Sequence, residues 1–460
     1  MLLGTQRVNE AGHLEIGGCD TVRLAQEFGT PLYVMDEVLI RANCRGYAAA
    51  FEARYPRNSI CYASKAFLCA AMCHLVEQEG LNLDVASLGE LYTALEAGFP
   101  PGRINLHGNN KSLAELEMAV TSGVAHVVLD SFHEIEMLEA VAREAGTSVD
   151  VLVRCTPGVD PDTHRAISTG QADTKFGFNI SDGSALEAVR RVVRSSGMRL
   201  DGIHFHVGSQ LLDTHAHEDA LVEAVGLMAA IREETGATCD ILNIGGGLGV
   251  RYRSTHRPPS LGEFAEAVCG RLTSALRLAG LPPPVLQQEP GRAIVGEAGT
   301  TLYTVGAIKT VPILDPPGQR TYVAVDGGLS DNPRPQMYGA EYEVVAADRV
   351  NEPRDTVVTI AGKHCETDVL VWNARCARLE PGAVLAVQTT GAYNHAMASN
   401  YNRFLRPAVV LVADGVADLI VERETLPDLV RRDRVPARLR RGAHPGGLAP
   451  ATPVGSPPPA

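Results

Sequence analysis

The chain has 460 residues, which is too long for one ordinary hydrophobic core and predicts two domains followed by a tail. Hydrophobic residues make up 45% of the chain and charged residues 21%, a composition typical of a soluble globular protein. The formal net charge of -13 argues against a nucleic-acid partner, because contact with a phosphate backbone needs a basic surface.

The cysteines and the apolar runs indicate the cellular setting. The ten cysteines are scattered, without a C-x-x-C pair or zinc-ligand spacing, so we expect reduced thiols in a cytoplasmic protein and no metal site. Residues 1–8 lack the basic and apolar segments of a signal peptide. No apolar run approaches the roughly 20 residues of a membrane-spanning helix, so we expect no membrane partner.

The first part of the chain predicts a parallel sheet. Residues 1–30 form short pieces, followed by a strand at 31–35 and a helix at 37–51. Strands then alternate with helices, a pattern typical of βα units. The predicted strands are 58–63, 81–86, 104–107, 126–130, 149–154, 201–207, 239–244 and 284–289. The helices predicted between them include 88–97, 113–121, 132–145, 183–195, 216–235 and 261–279.

Eight βα units over roughly 250 residues match the usual size of a closed, TIM-like (β/α)8 barrel. An open, doubly wound sheet is the alternative. From about residue 298 the sequence changes to short β-prone runs separated by Gly, Pro and Asp, which predict a second, all-β domain with Greek-key-like topology. These runs are 301–311, 321–326, 356–361, 369–372, 383–388 and 408–412.

The chain is therefore divided into four parts. Residues 1–30 are expected to pack with the β domain, 31–297 to form the barrel, and 298–428 to form the β domain. Residues 429–460 are rich in Arg and Pro. We expect this tail to be disordered, because it cannot bury enough apolar surface to fold.

Polar side chains collect where the predicted barrel strands end. In a (β/α)8 barrel these ends meet at one face, and the loops that follow them build the active site. In chain order the positions are Lys65, Asp84, Ser87, His107, Asn109, Arg154, His204, His206, Ser209, the glycine-rich run 245–249 and residues 289–292. So many equivalent positions predict one functional site.

Lys65 is the residue around which this site is organised. It follows a β-prone run, at the point where a strand delivers its last side chain to a pocket. A partly desolvated amine there can be neutral near pH 7 and attack a carbonyl group to form a Schiff base. On this stretch alone, a surface lysine after a strand is the simpler interpretation.

The glycine run predicts a phosphate site, since backbone N–H groups close on a phosphate only where no Cβ intervenes. A tight turn without a ligand is the alternative. The run fits neither a Rossmann nor a P-loop motif. A phosphate opposite a Schiff-base lysine indicates pyridoxal phosphate, whose pyridine nitrogen Glu289 would keep protonated. His206 is placed to lie flat against the ring, although a hydrogen-bonded core histidine fits it equally well.

Several motifs, all in one order, resemble the alanine-racemase-like barrel decarboxylases that use pyridoxal phosphate, and among them the diaminopimelate decarboxylase family. The motifs are 62–65 (YASK), 206–210 (HVGSQ), 245–247 (GGG), 289–292 (EPGR), 326–328 (DGG), 332–339 (NPRPQMYG), 365–366 (CE) and 391–393 (GAY). The resemblance covers about residues 10–428. One departure is the loop after Glu366, where Thr367 and Asp368 follow directly instead of Ser, a further residue and Asp.

The resemblance implies a role for each site residue. Lys65, which would carry the cofactor, and Cys365, which would return a proton to the substrate, are the expected catalytic residues. The other expected cofactor-binding residues are Asp84, His206, Ser209, Gly246, Gly247, Glu289, Gly291, Arg292 and Tyr393. The expected substrate-binding residues are Arg292, Arg334, Tyr338, Glu366 and Tyr393. In the family Cys365 and Glu366 reach the pocket from the partner subunit, which implies a homodimer with shared active sites.

The implied reaction is decarboxylation of meso-2,6-diaminopimelate at its D-centre to L-lysine and carbon dioxide, with pyridoxal 5′-phosphate as cofactor. It is the final step of lysine biosynthesis. Arg292 and Arg334 suit a substrate with a distal carboxylate, whereas a substrate such as ornithine ends in a bare ammonium. The alternatives are a racemase, a barrel-type decarboxylase for ornithine, arginine or carboxynorspermidine, and a non-catalytic protein that only binds the cofactor.

Overall fold

The computed structural model describes residues 2–159, 171 and 173–439 of the chain. Within these residues eight parallel strands close into a barrel, in the order in which they occur in the chain. The first strand pairs with both the second and the eighth, so this sheet has no open edge. The predicted barrel is confirmed, and the open sheet is excluded. The strands are Asn58–Ala63, Asn82–Val85, Ile104–Leu106, His126–Leu129, Val149–Thr156, Met198–His204, Ile241–Asn243 and Val285–Gln288.

Helices follow the barrel strands and cover the sheet. Serine side chains start several of them, since Ser112 and Ser260 each accept a hydrogen bond from the backbone N–H of a glutamate three residues later. The helices whose bounds were predicted begin and end within one residue of the observed ones. The helices are Glu37–Glu52, Ala70–Gln78, Leu88–Glu96, Leu113–Ser122, Phe132–Ala145, Ser184–Arg194, His215–Thr235 and Leu261–Ala279.

A second sheet of nine strands, mostly antiparallel, is built largely from the C-terminal part of the chain. Its longest strand, Gly299–Leu314, pairs with Pro317–Val325 and also with Leu32–Asp36. The predicted all-β domain is confirmed, although Val344–Ala346 and Val416–Val421 were not predicted as strands. The remaining strands are Thr356–Ala361, Val369–Cys376, Val384–Gln388 and Ala408–Ala413.

The strand Leu32–Asp36 is placed differently from the prediction. It pairs with Gly299–Leu314 on one side and with Ala408–Ala413 on the other, and both belong to the second sheet. Backbone hydrogen bonds therefore join this strand, which the prediction assigned to the barrel part of the chain, to the sheet of the β domain. Its partners lie far along the chain, where the local sequence carries no signal about pairing.

Residues before this strand also contact the second sheet. Leu14, Ile16 and Leu24 are buried in one apolar cluster together with Leu302 and Val345. Burial of these side chains stabilises the contact, since each removes apolar surface from water. The elements involved are the strands Arg7–Val8, Leu14–Ile16 and Cys19–Asp20 and the helix Thr21–Phe28.

The C-terminal segment differs in part from the prediction of disorder. The helix Leu426–Val430 and the turn Ala437–Leu439 continue the described structure, and Arg403 contacts Asp433 at 3.0 Å. The described structure therefore extends through residues 429–439 of the predicted tail. Residues 440–460, which make up the rest of the predicted tail, lie outside the described residues. In the described part of the chain, no helix has the length and apolar character needed to span a membrane.

A buried ion pair joins the loop before the helix Leu113–Ser122 to the first turn of the helix Phe132–Ala145. Lys111 Nζ donates to Glu134 Oε1 at 2.6 Å and to the carbonyl oxygens of Gly108 and Val128 at 2.9 and 2.6 Å. Both charged side chains are almost completely removed from solvent. Each charge therefore depends on its partner for the stabilisation that water would otherwise give.

Replacing Lys111 with Met leaves the Glu134 carboxylate buried without its cation, and should lower the free energy of unfolding by about 3–5 kcal/mol. Urea unfolding of the purified protein measures this loss. The double variant Lys111→Met, Glu134→Leu should recover most of it, because neither charge is then buried. Equal losses in the single and double variants would show that the unpaired Glu134 carboxylate is not the cause of the loss.

Candidate active site

Lys65 lies in a tight turn directly after the first barrel strand. The hydroxyl of Tyr62 donates to the carbonyl oxygen of Phe67 at 2.8 Å and so holds the turn. The backbone N–H of Tyr393, from the second domain, donates to the carbonyl oxygen of Ala66 at 2.8 Å. Both domains therefore fix the backbone that carries the amine.

The amine points into a cavity of about 350 Å³ between the barrel face and the second domain. A larger cavity, of about 690 Å³, lies beside Tyr342 and Trp372 but contains none of the predicted site residues. We therefore take the smaller cavity as the site. The predicted residues that line it are Lys65, Asp84, His206, Ser209, Glu289, Arg292, Arg334, Tyr338 and Tyr393.

A narrow cleft lined by glycines adjoins this cavity and shares Lys65 with it. Gly246, Gly247 and Gly291 line the cleft. A Cβ on Gly246 would collide with the carbonyl oxygen of Glu289, and a Cβ on Gly247, where φ is +129°, would lie 2.8 Å from a backbone oxygen. Only glycine fits at these two positions, so their backbone can approach a ligand closely.

Glu289 is a buried carboxylate surrounded by polar side chains. Asn243 Nδ2 donates to its Oε1 at 2.6 Å, His107 Nε2 lies 2.9 Å from the same oxygen, and His204 Nε2 lies 3.2 Å from Oε2. Burial alone would raise the pKa of Glu289, but the imidazoles of His107 and His204 hold this pKa well below its usual range. The side chain is therefore an anion at neutral pH.

Lys65 and Asp84 influence each other across the cavity. Burial alone would lower the pKa of Lys65, but Asp84, Tyr393 and Glu289 outweigh it and raise this pKa above its ordinary value. The expectation of a neutral amine near pH 7 is therefore wrong for the chain without a ligand, because two carboxylates face the ammonium. Burial, assisted by Glu289, raises the pKa of Asp84 to about 6.

Two histidines on the sixth barrel strand and its extension face the cavity. Burial lowers the pKa of His204 to about 3. Burial, and then the nearby cations Lys65 and Arg154, lower the pKa of His206 well below its usual value. Both rings are therefore neutral at physiological pH, and His206 offers an uncharged aromatic face to the cavity.

Arg292 and Arg334 are buried cations in the cavity wall. Arg292 donates to the hydroxyls of Ser209, at 2.9 Å, and Tyr252, while Arg334 donates to those of Tyr252 and Tyr342, both at 2.8 Å. Within the described residues, neither guanidinium has a carboxylate within ion-pair distance, and the Nε atom of each is buried without a partner. An anionic ligand would supply the negative charge and the hydrogen-bond acceptors that these cations lack.

Cys365 and Glu366 do not line the cavity of their own chain. Cys365 is exposed at the surface of the second domain, and its backbone N–H donates to Asn402 Oδ1 at 3.2 Å. The carboxylate of Glu366 accepts a hydrogen bond of 2.5 Å from the hydroxyl of Tyr401. The structure therefore holds both residues in place on an outer surface.

The shortened loop after Glu366 is rigidly bonded. Asp368 contacts His364 Nδ1 at 2.6 Å and accepts from the backbone N–H of Leu329 at 2.8 Å. The ring of His364 packs edge-on against Phe404, with 4.7 Å between their centroids. These contacts of Asp368 join the loop, which is one residue shorter than in the family it resembles, to the body of the second domain.

Sequence reasoning missed several residues of the site. Tyr252 and Tyr342 hold the arginines, and Asn243 holds Glu289. Phe176 lines the cavity beside Arg154, which lies 4.4 Å from its ring centroid. Tyr252 could have been found from its position in the loop after the seventh strand, but Tyr342 and Phe176 carry no such signal.

Asp84 should give the stability of the cofactor-free protein a characteristic pH dependence. Its pKa of about 6 in the folded state exceeds the ordinary 3.8, so its contribution to stability is present below pH 4 and lost as the pH rises through 6. Relative to Asp84→Asn, the unsubstituted protein should lose about 3 kcal/mol of unfolding free energy across this window. Urea unfolding at a series of pH values measures the difference, and a difference that stays flat would disprove the shift.

Comparisons with known proteins cover nearly the whole chain. The family model described as "Pyridoxal-dependent decarboxylase, pyridoxal binding domain" matches residues 39–296. The chain is 47% identical to the diaminopimelate decarboxylase of Bacillus subtilis (strain 168) over 433 residues, which cover 94% of this chain and 98% of that protein. It is 45% identical to the diaminopimelate decarboxylase of Mycobacterium tuberculosis (strain ATCC 25618 / H37Rv) over 428 residues, which cover 92% and 95%.

Solved structures extend the similarity to three dimensions. The crystal structure of diaminopimelate decarboxylase from M. jannaschii in co-complex with L-lysine is similar with a TM-score of 0.89 and 34% identity, and covers 96% of this chain and 100% of that one. A lysine/ornithine decarboxylase from Vibrio vulnificus, at 23% identity and a TM-score of 0.70, shows the shared fold alone. The chain belongs to the diaminopimelate decarboxylases, enzymes of the barrel type that depend on pyridoxal phosphate.

Proposed function

We propose that this chain removes the carboxylate at the D-centre of meso-2,6-diaminopimelate and gives L-lysine and carbon dioxide, the final step of lysine biosynthesis. The observation that carries the proposal is the composition of one cavity wall. One group of side chains contains an amine facing two carboxylates, Lys65 with Asp84 and Glu289. Another contains the two arginines, which have no acidic partner among the described residues. Such a wall suits an amino acid that carries a second amino-acid group.

The residues of the cavity fit pyridoxal 5′-phosphate. Lys65 offers a primary amine to the aldehyde, and Glu289 offers an ionised carboxylate to the pyridine nitrogen. The neutral ring of His206 offers a flat face. The backbone of Gly246 and Gly247, where a Cβ would meet other backbone atoms, offers N–H groups to the phosphate. Ser209 and Gly291 lie in the same cleft.

Each polar group then has a task in the reaction. When bound, pyridoxal phosphate supplies an electron sink for the electron pair that remains when carbon dioxide leaves. Glu289, kept ionised by His107 and His204, holds the proton at the pyridine nitrogen and so maintains the sink. Asp84 and Glu289 raise the pKa of Lys65, so this amine carries a proton whenever it is released from the cofactor.

The substrate's second carboxylate would bind between Arg292 and Arg334. A planar guanidinium can form paired hydrogen bonds with a carboxylate, and two such groups define its orientation. Tyr338 and Tyr393 line the same cavity and limit the space around the substrate. Ornithine would add a third cation here instead of an anion, so the charge of this wall disfavours the diamine-forming alternatives.

We propose further that Cys365 and Glu366 complete the active site of a second copy in a homodimer. Both residues are exposed and bonded in place, yet neither lines the cavity of its own chain. The thiol of Cys365 would return a proton to the carbon that has lost carbon dioxide. The carboxylate of Glu366 would bind the distal ammonium of the substrate. Each site would then need both chains.

The proposed location is the cytoplasm. All ten cysteines are free thiols, and eight of them are buried, which is typical of proteins in reducing compartments. A nucleic-acid partner is not proposed, because the net charge of -13 would repel phosphate groups.

Purified protein loaded with pyridoxal phosphate should release carbon dioxide from meso-diaminopimelate and form one L-lysine for each molecule released. Lys65→Ala should lose the visible absorbance of the amine-bound cofactor and about 1,000-fold or more of the turnover, because the covalent link is gone. Lys309→Ala, which changes an exposed lysine of the second domain, is the matched control. Bound cofactor without gas release would favour the non-catalytic alternative, and faster release from ornithine would favour the diamine-forming one.

Cys365→Ala should reduce turnover about 100-fold, as expected for loss of a proton donor, and should leave cofactor loading unchanged. Mixing this variant with Lys65→Ala and letting the subunits exchange should restore activity to about a quarter of the unsubstituted level, because half of the sites in mixed dimers are then intact. Mixtures that stay as inactive as either variant alone would argue against shared sites.

A further inference from the structure

Tyr252 stands behind the two unpaired arginines, in the loop after the seventh barrel strand, and is buried with 5% of its surface exposed. Its hydroxyl oxygen accepts hydrogen bonds from Nη1 of Arg292 and from Nη1 of Arg334. Its ring lies 5.6 Å from the first guanidinium and 4.9 Å from the second. One neutral side chain therefore contacts both cations at once.

This contact holds two like charges closer together than they would otherwise stay. Two guanidiniums buried in a poorly polarisable wall repel each other, because little water remains to screen them. The phenol oxygen carries a partial negative charge, and the face of the ring adds a further attraction for cations. Among the described residues, no carboxylate lies within ion-pair distance of the two guanidiniums to offset their repulsion. The spacing of the arginines therefore depends on Tyr252.

The arginines retain donors for a ligand. The Nε atoms of Arg292 and Arg334 are buried and have no hydrogen-bond partner within the described structure. Arg292 also donates to Ser209, which lies in the glycine-lined cleft. A buried N–H without an acceptor is unfavourable, so these groups are kept for an anion that enters the cavity.

We propose that Tyr252 is a positioning residue that sets the distance between Arg292 and Arg334 to match one carboxylate, that of the distal L-centre of the substrate. The inference rests on the proposed function, since it concerns the same cavity. Tyr252 does not line the cavity and so acts through the arginines. It thereby determines selectivity for ligands with a distal carboxylate over ligands that end in an amine alone.

Tyr342 provides a matched comparison within the same cluster. Its hydroxyl accepts from Arg334 at 2.8 Å and donates to Asn394 at 3.4 Å, but it does not contact Arg292. Its ring packs edge-on against Tyr252, with 5.4 Å between their centroids. Tyr342→Phe therefore removes the same chemical group at a similar depth without removing the bridge.

The test measures binding of two probes to the cofactor-loaded enzyme by calorimetry. L-lysine carries the L-centre carboxylate, and cadaverine (1,5-diaminopentane) is the same molecule without it. In Tyr252→Phe the dissociation constant of L-lysine should rise about 10- to 30-fold, because both hydrogen bonds that hold the two guanidiniums at this spacing are lost. That of cadaverine should change less than about twofold, and Tyr342→Phe should raise the L-lysine constant about threefold at most.

The affinity for pyridoxal phosphate should be unchanged in Tyr252→Phe. This control distinguishes a changed spacing of the two arginines from general damage to the active site. An unchanged constant for L-lysine, an equal loss for both probes, or weaker cofactor binding would each overturn the inference. Should this variant not fold, the double variant Tyr252→Phe, Arg334→Met is compared with Arg334→Met alone. Because Tyr252 then contacts only one arginine, the dissociation constants of L-lysine for the double variant and for Arg334→Met should agree within about twofold. A larger difference would also overturn the inference.

Activity on meso-diaminopimelate is measured separately on the unsubstituted protein. Loss of that activity would refute the proposed function and would not alter the ratio of the two probes. An active enzyme whose probe ratio does not depend on Tyr252 would refute the positioning role alone. The two proposals therefore fail on different observations.

Discussion

Two buried guanidiniums without a carboxylate partner are the constraint on which the rest of the site depends. Arg292 and Arg334 are 5% and 4% exposed, and their hydrogen bonds go to neutral hydroxyl groups among the described residues. Burying a cation in this way is costly, because the solvation lost is only partly replaced. Buried cations of this kind are expected where an anionic ligand binds. In the proposed function, this pair would set the position of the substrate's distal carboxylate before the substrate binds.

The opposite charge lies around Lys65 in the same cavity. Asp84 and Glu289 face the amine, and the imidazoles of His107 and His204 lie 2.9 and 3.2 Å from the oxygens of Glu289. Electrostatic interaction and hydrogen bonding with His107 and His204 hold the pKa of Glu289 well below its usual range, so the carboxylate stays ionised deep in the barrel. The cavity thus separates an anionic region from a cationic one. A substrate with an amino-acid group at each end is oriented by this separation.

Neither domain builds the cavity by itself. The barrel contributes the amine, Glu289 and the glycine-lined cleft, whereas the second domain contributes Arg334 and Tyr393. The backbone bond from Tyr393 to Ala66 fixes the two parts beside Lys65. The strand Leu32–Asp36 strengthens this arrangement. It is paired in the second sheet, and the helix Glu37–Glu52, which follows it without a loop, packs on the barrel. The cavity therefore exists only where the two domains meet.

The alternation of strands and helices was enough to predict the barrel, because each βα unit has a local signature in its apolar pattern. The motifs around Lys65, Gly246 and Glu289 likewise sit at strand ends, where barrel geometry alone brings them together. Pairing of Leu32–Asp36 with the second sheet, the raised pKa of Lys65 and the bridge made by Tyr252 depend on contacts between distant parts of the chain. Sequence determined which side chains reach the barrel face, since strand periodicity is local. Only the tertiary structure decided their charge states and mutual distances, since burial and electrostatic interaction depend on neighbours in space.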